Sequence, residues 1–247
     1  MEYLELSERE RDEIFRAAAT LAKRAADPDF YLDLARCYTV GKCTALRYDE
    51  KRDAYVYTEV NEQKEVPASA FQEHAYMVCR RSDGSFRYVP MKPLPGQLGA
   101  RVSLSLCFPD RPIGVVHTHP AGAVFPSGAD LYVLSELSAM CISGKMRDKS
   151  GEYYRVFCAF PYPWVDRQDL ARIVDRVDTT IERFIRHYED VLSLAVFDKD
   201  GFKYMYVFPP GTASAYLVDK IREQVRDFMD VEYRVYRPGE FEEVELP

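Results

Sequence analysis

Two histidines, a serine and an aspartate lie close together near the middle of the chain: His117-Thr118-His119-Pro120, then Ser127-Gly128-Ala129-Asp130. The apolar run leading into the first histidine reads as a strand, and side chains two apart on a strand share a face. His117 and His119 then point the same way with Cα atoms about 6–7 Å apart, so both imidazoles can reach one metal ion. Ser127 has the chemistry of a helix start, which places Asp130 in the first turn, where its carboxylate can turn back towards the histidines. Two His and one Asp make three protein ligands and leave a fourth tetrahedral position for water, the pattern that separates catalytic from closed structural zinc sites. Zn2+ held there would lower the pKa of that water towards ~7 and polarise a carbonyl. The Ser127 hydroxyl suits the developing oxyanion. Each piece has a plainer reading by itself: Ser127 and Asp130 alone are an ordinary capped helix start, and a lone strand histidine is an ordinary polar residue. The four positions together are far more specific.

The spacing H-x-H-x7-S-x-x-D, with seven residues between His119 and Ser127, resembles the JAMM signature of the MPN-type zinc metallopeptidases without deviation in residue type or spacing. The resemblance implies zinc held by His117, His119 and Asp130, with Ser127 stabilising a tetrahedral intermediate and a catalytic glutamate upstream. Glu73 is the candidate: it precedes an expected strand and stands 44 residues before His117. Glu59, Glu62 and Glu65 are its rivals, read here as a solvated acidic loop. From Glu73 through the turn at Ser82-Asp83-Gly84 to Pro90, the chain looks like the prokaryotic JAB-like branch. The likeness covers residues 67–160.

What the resemblance implies about activity is hydrolysis of a peptide or isopeptide bond, in a protein or peptide substrate that includes conjugates of a ubiquitin-like modifier. An extended tail would pair with an exposed strand, bordered by the loops 92–100 and 121–126. The alternatives are a non-catalytic MPN-type scaffold, and metal-dependent hydrolysis of another amide. Scaffold members of the family usually lack a ligand, whereas all four signature residues are present here.

The elements that must hold these residues are legible in outline. Ser7 and Glu10 form a capping box opening a helix whose Ile14, Phe15, Ala18, Leu21, Ala22 and Ala25 recur on one face. Asp27-Pro28 stops it, and residues 30–37 read as a second helix. Residues 53–60 have strand chemistry, and 67–74 read as a short helix with Pro67 in its first turn. Residues 76–81 and 86–89 flank a Gly-containing turn and predict a hairpin. Residues 102–108 and 112–118 read as two strands, 127–140 as one helix through Leu131, Leu134, Leu137 and Met140, and 153–160 as a strand.

Beyond Pro161-Tyr162-Pro163 the pattern predicts a long amphipathic helix, a hairpin of 191–197 with 202–208, a helix over 212–229 and a strand over 231–236. The element pattern predicts an α/β fold ending in a small C-terminal α-β-β-α-β unit, and the resemblance implies that its core is of the MPN (JAB-like, cytidine-deaminase-like) type, a mixed β-sheet with flanking helices. The expected division is 1–65 as an N-terminal helical and strand extension, 66–162 as the zinc hydrolase domain and 163–247 as a recognition or dimerisation module. Trp164 is expected to pack between units, and His74 and His187 to be bystanders.

Composition narrows the classes further. Hydrophobic residues make up 47% of the chain, enough for a real core. No apolar run approaches the roughly 20 residues of a membrane span. A net charge of −7 repels phosphate backbones, so nucleic acid is not an expected partner. The acidic start lacks a signal peptide's basic and apolar regions, which makes the cytoplasm the expected compartment. Six cysteines without a C-x-x-C pair read mostly as buried thiols, with Cys37 and Cys43 able to pair.

Overall fold

The computed structural model describes residues 4–93, 101–209 and 212–247, and the side chains of all of these except 212–214. Helix α1 (Glu8–Ala22) opens with the expected capping box: Glu10 N–H donates to Ser7 Oγ at 3.2 Å, and Ser7 N–H donates to Glu10 Oε2 at 2.9 Å. Its Ile14, Phe15, Ala18, Leu21 and Ala22 are buried, joined by Ala17 and Ala19, so the small residues widen the apolar face and let the helix lie close to a sheet. Helix α2 (Pro28–Thr39) starts with Asp27 as N-cap and proline in its first turn. Strands β1 (Leu46–Asp49), β2 (Ala54–Glu59) and β3 (Glu62–Pro67) follow, and a single 3-10 turn, Ala68–Ala70, stands where a short helix was expected.

The hairpin β4 (Ala75–Arg80) and β5 (Phe86–Met91) forms around the predicted turn, where Gly84 takes φ 87°. Strand β6 (Arg111–Thr118) ends in the histidine motif, and helix α3 (Gly128–Tyr132) carries Asp130. Strands β7 (Ala139–Asp148) and β8 (Gly151–Pro161), helix α4 (Arg167–His187), strands β9 (Leu192–Asp198) and β10 (Gly201–Val207), helix α5 (Thr212–Val225) and strand β11 (Met229–Tyr236) complete the chain.

These strands make two mixed sheets. The six-stranded sheet runs β11-β8-β7-β6-β4-β5, parallel only between β6 and β7. The five-stranded sheet runs β10-β9-β1-β2-β3, parallel only between β1 and β9. Helix α1 buries one face of the larger sheet through Phe15, Val116, Cys141 and Phe160. Residues from α4 and α5, with Leu131 and Leu134, bury the other face through Met77, Val115, Ile142 and Phe157. Helix α2 covers the smaller sheet through Tyr31, Leu34, Tyr55 and Val196.

Several expectations are corrected. Residues 102–108 do not form a strand; a 3-10 helix, Leu104–Cys107, occupies that stretch. The helix from Ser127 stops at Tyr132, and Met140 belongs to β7, because pairing on both sides with β6 and β8 outweighs the helical spacing of the leucines. The C-terminal segment does not close as a unit. Its hairpin β9-β10 joins β1 of the N-terminal extension, and β11 joins β8 of the larger sheet, so residues 163–247 complete two sheets that begin elsewhere. Glu62 and Glu65 lie on an edge strand rather than in a loop. Trp164 is 77% exposed and stacks on Tyr162, so it is not an interdomain packing residue.

The cysteines also differ from the expectation of free thiols. All six pair: Cys37–Cys43, Cys79–Cys107 and Cys141–Cys158. Cys141 and Cys158 face each other directly across β7 and β8, a neighbourhood set by strand register. The bridges span 6, 28 and 17 positions. Loop-closure entropy then ranks their contributions at about 2, about 4 and about 3 kcal/mol respectively. Replacing Cys79 and Cys107 together by alanine is expected to lower the unfolding free energy in urea most, by about 4 kcal/mol. A larger loss from the Cys37/Cys43 pair would contradict that ranking. No helix among the described residues is long and apolar enough to cross a membrane.

Candidate metal centre

The site is assembled at the carboxyl end of β6, where the chain leaves the sheet to cross over to the parallel strand β7. Three hydrogen bonds fix that end. Thr118 N–H donates to the His74 carbonyl at 2.9 Å, His74 N–H donates to Thr118 Oγ1 at 3.0 Å, and His119 N–H donates to the Ser143 carbonyl of β7 at 2.9 Å. Ala75 pairs with His117 in the antiparallel β4/β6 register. Extending that register by two residues sets Glu73 opposite His119, on the face shared by Ala75 and His117. The Glu73 carboxylate accordingly lies 3.6 Å from His119 Nε2.

The loop between the motif halves folds back tightly. Ala121 and Gly122 take left-handed conformations, φ 62° and 74°, and a Cβ on Gly122 would stand 2.5 Å from the Phe208 carbonyl oxygen, so a glycine is required there. Phe208 N–H in turn donates to the Ala121 carbonyl at 2.9 Å, tying the loop to the end of β10. At the far end of the loop Ser127 is the N-cap of α3 and forms a capping box with Asp130. The cap reading and the ligand reading of these two residues coexist: Oδ2 accepts both Ser127 bonds, and each carboxylate oxygen also lies near a histidine, Oδ1 near His117 and Oδ2 near His119.

Asp130 Oδ2 accepts from Ser127 N–H at 2.7 Å and from Ser127 Oγ–H at 2.8 Å, while Oδ1 lies 3.0 Å from His117 Nε2. His119 Nε2 is 3.3 Å from Asp130 Oδ2 and 3.2 Å from His117 Nε2. Four-coordinate zinc with bonds near 2.0–2.1 Å requires ligand atoms about 3.3 Å apart. The three donors are spaced for such an ion, and their chemistry, two imidazole nitrogens and a carboxylate, suits zinc. They form a grouping able to hold a metal. His119 Nδ1–H donates to the Ala123 carbonyl at 2.8 Å, so the neutral imidazole keeps its proton on Nδ1 and leaves the Nε2 lone pair for a metal. His117 is 6% exposed, and its Nδ1 is buried without a partner among the described residues.

Electrostatics follow from this crowding. Burial opposes a charge on His119, yet the carboxylates of Asp130 and Glu73 outweigh it and push the imidazole pKa up to about 9. Burial likewise opposes the Asp130 charge, but the two histidines hold its carboxyl well below the usual range. His74 moves the other way, lowered by burial and by Arg24.

Beside the donors opens a cleft of about 270 Å³, lined by Glu73, His117, Ser127 and Asp130 and walled by Ala75, Met91, Val102, Val115 and Val133. The sequence-derived candidates Glu73, His117, His119, Ser127 and Asp130 thus come together. The rivals do not: Glu62 pairs with Lys64, Glu65 with Arg52, and Glu59 lies 3.9 Å from Cys37 Sγ on the other sheet. His187 donates to the Arg183 carbonyl on an exposed turn of α4. Of the loops expected to border a groove, residues 94–100 lie outside the described residues, and 121–126 contributes no residue to the lining of the cleft, touching the site instead through the Ala123 carbonyl.

Two contributors escaped the sequence reading. The Ala123 carbonyl is a backbone group that any residue type would supply. Asp178 of α4 accepts from Gly128 N–H at 2.6 Å across 50 residues, and only helix packing could have revealed it. Comparison with protein-family models, with curated proteins and with solved structures finds no match in any of the three.

Proposed function

We propose that the chain is a zinc-dependent metallopeptidase or isopeptidase that hydrolyses a peptide or isopeptide bond in a protein substrate, with ubiquitin-like conjugates as the substrate class drawn from the JAMM resemblance. The observation that carries the reading is the convergence of two Nε2 atoms and one carboxylate at 3.0–3.3 Å with a free carboxylate, Glu73, 3.6 Å from the outer histidine. His117, His119 and Asp130 would hold the ion. Zinc, when bound, supplies an acidified water and a Lewis acid for the scissile carbonyl.

The chain's own residues divide the remaining work. Glu73 takes a proton from the attacking water and returns it to the departing amine, which requires a carboxylate beside but not within the ligand set. Ser127 Oγ–H orients Asp130 in the resting arrangement. To meet an oxyanion, that hydroxyl has to turn away from Asp130. The apolar cleft walls would receive a side chain next to the scissile bond. A cytoplasmic place of action accords with three disulfides only where the cell interior keeps them oxidised.

The test is hydrolysis of a panel of fluorogenic peptides and lysine isopeptides by the zinc-loaded protein and by Glu73→Gln. The variant is expected to keep its zinc and lose about 10²- to 10⁴-fold in kcat. Full activity in Glu73→Gln would remove Glu73 from the mechanism. No cleavage of any probe by zinc-loaded wild type would leave the scaffold reading in its place.

A further inference from the structure

Helix α3 has five residues, too few to hold its own position, yet its first turn carries Ser127 and Asp130. The capping box between those two residues is internal and moves with the helix. Leu131 seats the later part of α3 in the core, and a polar contact from another element holds its start. Asp178 supplies it: Oδ1 accepts the Gly128 amide, one of the donors that a helix start leaves without an intrahelical partner. Asp178 sits in the middle of the 21-residue α4, which is anchored in the core by Leu170, Ile173 and Val177.

The approach of the two helices is close at this point. A Cβ on Gly128 would stand 2.6 Å from Asp178 Oδ2, 2.6 Å from Val174 Cγ1 and 2.7 Å from the Val174 carbonyl oxygen. Two of those atoms cannot yield without moving α4 or breaking the bond to Gly128. The residue after Ser127 is therefore glycine for a reason outside the metal chemistry: it lets α4 reach the amide. Among the described residues Asp178 has no ion-pair partner, so its carboxylate is committed to this contact.

We infer that Asp178 is a positioning residue for the metal centre, latching the start of α3 to α4 so that Asp130 stands at ligand distance from His117 and His119. The inference rests on the metal-binding reading above. Groups that orient a metal ligand without touching the ion typically contribute about 10- to 100-fold in affinity.

The experiment is a zinc titration against a chromophoric chelator with the full chain, using wild type, Asp178→Ala, Asp178→Asn and Gly128→Ala, well below each melting temperature. Asp178→Ala is expected to bind zinc about 10- to 100-fold more weakly. Asp178→Asn, whose Oδ1 still accepts the amide, is expected to recover most of that loss, and Gly128→Ala to resemble Asp178→Ala. A purely structural role would lower the melting temperature of Asp178→Ala and leave its zinc affinity unchanged. That result, equal weakening in Asp178→Asn, or wild-type affinity in Gly128→Ala would overturn the latch while leaving the metal centre standing. Failure of the wild type itself to bind zinc would instead overturn the centre, and the latch with it.

Discussion

Asp130→Ala is expected to reduce bound zinc from about one equivalent to near none, because two imidazoles alone cannot complete the three-ligand set of a catalytic site. The same substitution acts on the metal-free protein. Asp130 is flanked by His117 Nε2 at 3.0 Å and His119 Nε2 at 3.3 Å, and it accepts two hydrogen bonds from Ser127. Removing it breaks a buried charge pair, which costs about 3–5 kcal/mol in comparable sites. It also withdraws the main attraction that raises His119, whose pKa is then expected to fall from about 9. Elemental analysis with circular dichroism separates loss of metal from loss of fold, and His117→Ala is expected to give the same metal result. Zinc retained in folded Asp130→Ala would mean that the three donors are a hydrogen-bonded cluster and not a metal site.

Zinc affinity is expected to climb with pH across the neutral range and to level off only near pH 9. The ion requires the neutral imidazole, so below the His119 pKa of about 9 each zinc bound displaces that proton. Displacing one proton makes the affinity rise about tenfold per pH unit up to that value. A histidine with an ordinary pKa would give a plateau from about pH 6.5.

The metal-free protein runs the opposite way. A raised His119 pKa contributes stability that is fully present below about 6.5 and is lost as pH rises through about 9. A depressed Asp130 carboxyl contributes stability that is present above its ordinary value and is lost as pH falls through its folded value. Melting temperature of the stripped protein should therefore decline between pH 7 and pH 10, while zinc stabilises it most at the alkaline end. A flat affinity profile from pH 7 to pH 9 would show that Asp130 and Glu73 do not act on His119 as the geometry requires.

Local chemistry written in adjacent residues was readable from the chain. The α1 cap needs only Ser7 and Glu10, and the β4-β5 hairpin needs only a Gly-containing turn between two apolar runs. The metal donors belong to the same class, since alternation along β6 and a helix cap at Ser127 already aim three side chains at one point. Glu73 was reachable because it precedes a strand, although its place opposite His119 depends on the β4/β6 register.

Other features follow from what lies beside a segment in space. The stretch around Met140 has helical spacing and becomes strand because β6 and β8 offer hydrogen-bond partners on both sides. The C-terminal hairpin and β11 look like one unit in sequence and are shared between two sheets, since each is drawn to a different open edge. Cys141 pairs with Cys158 only once β7 and β8 are in register. The sequence by itself determined the three candidate metal donors and the helix cap that carries the third of them, because those depend on residue type and backbone periodicity. Only the tertiary structure decided the 3.0–3.3 Å donor spacing, the approach of Glu73 and the grip of Asp178 on Gly128, because each joins elements whose relative position is set by core packing and strand register.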